Sequence, residues 1–211
     1  ELSRMYLHQG PEARAVARLG EALQRFPDDA RSSLGRYRLA EVNRRLGGDL
    51  RQAFVAGGRP ESEMQAMRAQ LSVSLGEALM HFDEAIEALD AIDPRRRNDL
   101  EALSLRNAFF YRGDCAFDLA EYDAAIRYYD EARERYSGEP ASLVALVQIV
   151  NAHVAMGDLE RARTANARAK RFFESLPPEV WDDPYLPMDR SEWERWLEST
   201  DVLYRRAEAG P

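Results

Sequence analysis

Residues 121–132, EYDAAIRYYDEA, recur three more times along the chain. HFDEAIEALDAI lies 40 residues upstream at 81–92, DLERARTANARA 37 residues downstream at 158–169, and PEARAVARLGEA 110 residues upstream at 11–22. Every copy has an alanine at its fifth position; the 121–132 and 11–22 copies add an apolar neighbour, a larger apolar residue and a second alanine, the 158–169 copy keeps the second alanine, and the 81–92 copy keeps the apolar pair. In the 121–132 copy this spacing puts Ala125, Tyr129 and Ala132 on one helical face. The alanines let another helix come close, and the larger side chain fills the gap. Self-similarity at a fixed period decides an architecture before any single residue does.

Three of the four copies are preceded by a second helical segment, the exception being 81–92. NAFFYRGDCAFDLAEY carries Gly113 in mid-helix between Phe109 and Ala116, and VALVQIVNAHVAMGDL repeats the layout and ends in the turn Gly157-Asp158. RYRLAEVNRRLGGDL is a further first helix, with Gly47 lying 37 residues after Gly10. ELSRMYLHQG, closed by Gly10-Pro11, reads as the shortened first helix of the earliest copy, with Pro11 at a favourable helix start. The sequence begins at Glu1 without a methionine and so reads as a fragment of a longer protein.

Helix–turn–helix units with a period near 37 residues resemble the tetratricopeptide repeat, whose basic unit is about 34 residues. The resemblance rests on Gly113, Ala125 and Ala132 as small packing residues, on Tyr122 in the turn, and on the breaker Pro27. The longer connections QRFPDDARSS and ERYSGEPAS make the units similar to those of bacterial envelope repeat proteins. The expected fold is all-α, a right-handed superhelical stack of antiparallel helix pairs with one long inserted helix and a C-terminal capping helix. Units are expected at about 1–29, 30–97, 98–139 and 140–175. Within the second, GDLRQAFVAGGRPESE predicts a loop over 48–60, because it holds Gly-Gly and Gly-Arg-Pro. Met64, Met67, Leu71, Leu75, Leu79, Phe82, Ile86 and Leu89 then recur at threes and fours with no breaker, which predicts a single helix over 61–92. A proline-rich linker follows at 176–188, and Asp189 with Glu192 forms a capping-box pair opening a last helix at 189–208. Trp193, Trp196, Leu197 and Leu203 form its apolar stripe, suited to covering the end of a repeat array.

Chemistry is sparse. His8, His81 and His153 do not cluster, and no HExxH or CxxC spacing occurs, so neither a metal nor any other cofactor is expected. Cys115, the one cysteine, sits among small residues as a buried thiol would, and no third group orients a Cys115–His153 pair. No phosphate-binding loop is present, and nothing points to an enzyme. Net charge is −8, which argues against nucleic acid as partner. No apolar run reaches the roughly 20 residues of a membrane span.

The resemblance implies a concave groove lined by first helices. It directs Asn107, Phe110, Asp114, Phe117 and Asp118 there, with Val144, Val147, Gln148 and Asn151 from the next unit and Tyr37, Glu41, Arg44 and Arg45 from the second. Such a groove suits a peptide or protein partner, the aromatics serving as anchors and Gln148 and Asn151 pairing with backbone. The plainer alternative packs Phe110 and Phe117 against the long helix. Repeats that clamp a C-terminal carboxylate use Lys, Arg and Asn, of which only Asn151 fits. The implied function is a non-catalytic interaction scaffold. The alternative is a spacer or self-assembly segment of a larger repeat protein, its partner being further repeats of the same chain.

Overall fold

The computed structural model describes residues 11–27, 29, 31–182 and 186–208, with side chains up to residue 200 except Asp182. It is helical throughout, with no strand among the described residues. Among the described residues eight α-helices follow in order: α1 Pro11–Arg25, α2 Ser32–Val55, α3 Glu61–Asp90, α4 Asp99–Asp118, α5 Tyr122–Arg135, α6 Ala141–Ala155, α7 Leu159–Ser175 and α8 Arg190–Glu208, with a short 3-10 helix at Pro178–Asp182. The helix expected over 61–92 is α3. The shortened helix expected before Pro11, with His8, lies outside the described residues. The chain divides into two compact units, 1–120 and 121–211.

In the first unit α1 packs on α2, α2 on α3, and α4 on both α2 and α3. The loop expected over 48–60 is confined to 56–60, because α2 runs on through Gly47-Gly48 to Val55. The reason is packing. Gly47 is buried, and a Cβ there would stand 2.5 Å from Cδ2 of Leu75, so the bare backbone lets α3 approach α2. Leu50, three residues on, is fully buried, worth roughly 1.5–3 kcal/mol. That offsets a penalty of about 1 kcal/mol for each mid-helix glycine. The second pair, Gly57-Gly58, does stop the helix: both residues have positive φ, 65° and 75°. Pro60 then precedes α3.

Three side-chain pairs tie α2 to α4. Asn107 hydrogen-bonds the Tyr37 hydroxyl, Arg44 lies 4.0 Å from Asp114, and Arg51 pairs with Asp118. The residue numbers ascend together in both helices, so α2 and α4 run in the same direction. Phe82 of α3 is buried between the rings of Tyr37 and Tyr111, each 6.0 Å away. Arg112 reaches Asp83 at 2.8 Å. α4 ends at Leu119-Ala120, where Ala120 adopts φ 60°, a left-handed conformation that strains any residue with a Cβ. Gly157, 37 residues later, takes φ 75° in the corresponding turn without that strain.

In the second unit α5 packs on α6, α6 on α7, and α7 on α8. Ala125, Tyr129 and Ala132 are all buried, the face expected from their spacing. The core gathers Leu143, Leu146, Val147, Ala169, Phe173, Trp193 and Leu197. Asn166, fully buried, donates from Nδ2 to the Leu197 carbonyl at 3.2 Å and fixes α8 against α7. The expected capping box is present: Glu192 N–H donates to Asp189 at 2.9 Å, and Asp189 N–H to Glu192 at 2.9 Å. Trp193 is 1% exposed, Leu197 is buried and Trp196 is half-buried, so the stripe covers the core as expected; the Leu203 side chain lies outside the described residues. The proline-rich stretch contributes too, since Trp181 packs 4.9 Å from the Phe173 ring.

Two outcomes follow for stability. Gly47→Ala is expected to destabilise by about 1–3 kcal/mol, because Leu75 is buried and cannot yield. Gly48→Ala, where a Cβ meets nothing within 4 Å, is expected to stabilise by about 0.5–1 kcal/mol. Urea midpoints should rank Gly48→Ala above the parent and Gly47→Ala below it. The backbone N–H of Glu192, with the Ser191 hydroxyl, holds the Asp189 carboxyl below the usual carboxylate range. A lowered pKa stabilises above the unfolded value, and that contribution is lost as pH falls through the folded one. Helicity measured by circular dichroism should therefore fall at lower pH in the parent, whereas Asp189→Asn should lack this component.

Candidate functional site

Helix α4 carries most of the expected groove residues, and its start is set firmly. Asn98 accepts from the Glu101 N–H at 3.0 Å, and the Glu101 carboxylate accepts from the Asn98 N–H at 2.9 Å. This capping box, readable as N-D-L-E in the sequence, places an acidic first turn at the positive end of the helix dipole.

The helix presents different sides to its surroundings. Leu105, Ala108, Phe109, Gly113 and Ala116 are buried. A second side holds Asn107, Tyr111, Asp114 and Asp118 and is engaged by α2. Arg44 stacks 4.0 Å over the Tyr111 ring while reaching Asp114. Burial pushes the Asp118 carboxyl up, and Arg51 and Arg44 pull it back. A third side holds Leu103, Phe110 and Phe117 at seven-residue intervals, with Leu100 three residues before Leu103. Leu100 is 47% and Leu103 45% exposed, while Phe110 and Phe117 are half-buried.

The expected site residues therefore separate. Tyr37 is 4% exposed and belongs to the core against Phe82, not to an open surface. Its hydroxyl occupies Asn107. Glu41 is spent on Arg38 and Arg45 within α2, at 2.8 and 2.7 Å. Asp114 and Asp118 face arginines of α2. In the second unit, Val147 is in the core. Gln148 and Asn151 are half-buried on α6, where the Asn151 amide donates to Gln148 at 2.8 Å. Leu100 and Leu103 were missed, although the three-and-four spacing of Asn107, Phe110, Asp114 and Phe117 extends straight back to them.

Other chemistry is thin. His81 contacts Glu84 at 3.0 Å, and no group of three or more potential metal ligands occurs among the described residues. An apolar recess between α1 and α2, about 250 Å³, is lined by Leu19, Leu23, Phe26, Ser32 and Gly35 and holds no cluster of reactive groups. Burial pushes the Cys115 thiol far up, which withholds the nucleophilic thiolate. Cys115 should resist iodoacetamide at pH 8 in the native chain and react at the rate of a free thiol once urea unfolds it.

No described helix is long and apolar enough to cross a membrane. A comparison with curated proteins returns no match. The tetratricopeptide repeat family model matches residues 107–138, a span that takes in most of α4 and all of α5. Within it fall Gly113, Ala125 and Ala132, all buried. The chain thus contains a tetratricopeptide repeat, at residues 107–138.

Proposed function

We propose that the protein is a non-catalytic scaffold that binds a partner protein along the third side of α4. The repeat implies a protein-interaction role. The observation that carries the finer reading is the apolar row Leu100, Leu103, Phe110 and Phe117, whose N-terminal members stand open to solvent. Residues three, four and seven apart on a helix present one stripe, which complements the apolar stripe of an amphipathic partner helix. The partner class is therefore a helical segment with apolar residues at the same intervals. Asn107 and Asp114 flank the row, but their commitments to α2 leave them a steering role at most.

Leu100 and Leu103 are the residues to change, because substituting them leaves the core untouched. Helical peptides selected from a display library on the intact chain should bind at least tenfold more weakly to Leu100→Glu/Leu103→Glu, the two acidic residues together displacing about 1.4 kcal/mol or more of apolar contact. Circular dichroism should show the variant as helical as the parent. Selected peptides that lack an apolar stripe, or that bind both chains equally, refute the proposal.

A further inference from the structure

Two solvent-facing rows, one in each unit, have matching periods and opposite charge. On α3, Glu77, Met80, Glu84 and Glu87 are all exposed and follow one another at steps of three, four and three. On α7, Arg161, Thr164, Arg168 and Arg171 are all exposed at the same steps. Both rows lie opposite the packed faces of their helices: Leu75, Ala78, Phe82 and Ala85 of α3, and Ala162, Ala165, Ala169 and Phe173 of α7, are buried.

We infer that these rows are the two halves of a self-association contact, the α3 row of one copy lying alongside the α7 row of a second copy. In parallel register Glu77 meets Arg161, Glu84 meets Arg168 and Glu87 meets Arg171, and Met80 meets the methyl group of Thr164. Met80, 49% exposed, gives the contact an apolar element that charge alone lacks. Glu77, Glu87, Arg168 and Arg171 make no ion pair among the described residues, so their charges are not already neutralised. Glu84 is shared between Arg36 of α2 at 3.8 Å and His81, and Arg161 pairs with its helix-capping Asp158 at 3.4 Å. In a chain of net charge −8, repulsion opposes association everywhere except where a basic row can meet an acidic one. This contact uses neither Leu100 nor Leu103 and stands or falls independently of the α4 surface.

Exposed ion pairs are individually weak, about 0–1 kcal/mol, and are screened within about 10 Å at 0.1 M salt. The association is therefore weak and strongly salt-dependent. Sedimentation equilibrium of the intact chain should show species heavier than the 24.1 kDa monomer at about 0.01 M salt, and the monomer alone at about 1 M. Glu77→Arg/Glu87→Arg and Arg168→Glu/Arg171→Glu are each expected to lower the association constant about tenfold or more, through lost pairs and new like-charge contacts. Mixing the two variants one to one should restore association, since each then supplies the row the other lacks. A chain that stays monomeric at low salt overturns the inference. So does a variant that self-associates like the parent, or a mixture of helical variants that stays monomeric.

Discussion

The first unit hangs on one close approach, that of Gly47 on α2 to Leu75 on α3. With no side chain on Gly47, a buried leucine can lie where a Cβ would have been. That contact aligns the two longest described helices, 24 and 30 residues, side by side. Phe82, further along α3, then inserts between Tyr37 and Tyr111, which draws α4 onto both helices at once. Arg44 and Arg51 complete the arrangement by meeting Asp114 and Asp118 in order. Each later contact presupposes the spacing that the glycine permits.

This arrangement explains why a face that looks like a binding groove is only partly available. The polar groove positions of α4 are consumed by α2, which runs parallel to α4 and presents its own side chains to them. What stays exposed is the start of the apolar row, Leu100 and Leu103. A partner helix there would gain affinity from burying leucine and phenylalanine rather than from hydrogen bonds, since each hydrogen bond to Asn107 or Asp114 must be exchanged for one the protein already makes.

The second unit shows the same physics at work on α8. A helix packed along one face buries one stripe and exposes the rest. α8 does so with Trp193 and Leu197 buried and acidic and basic residues on the far side, and its carbonyl at Leu197 is anchored by a buried asparagine. The aromatic stripe and the capping box were legible because both depend on local spacing. The anchoring role of Asn166 was not, because it requires knowing which helix lies across from it.

Local periodicity determined that the chain is helical, that one uninterrupted helix runs on from Glu61, and that Ala125, Tyr129 and Ala132 share a buried face. These properties depend on residues three and four apart, which any helix brings together. Tertiary packing alone decided the rest. It let α2 pass through Gly47-Gly48 while Gly57-Gly58 ended it, though the two dipeptides are identical, because only the first has a leucine to receive. It buried Tyr37 and paired Asp114 and Asp118, because no sequence spacing says which helix will come to lie 70 residues away.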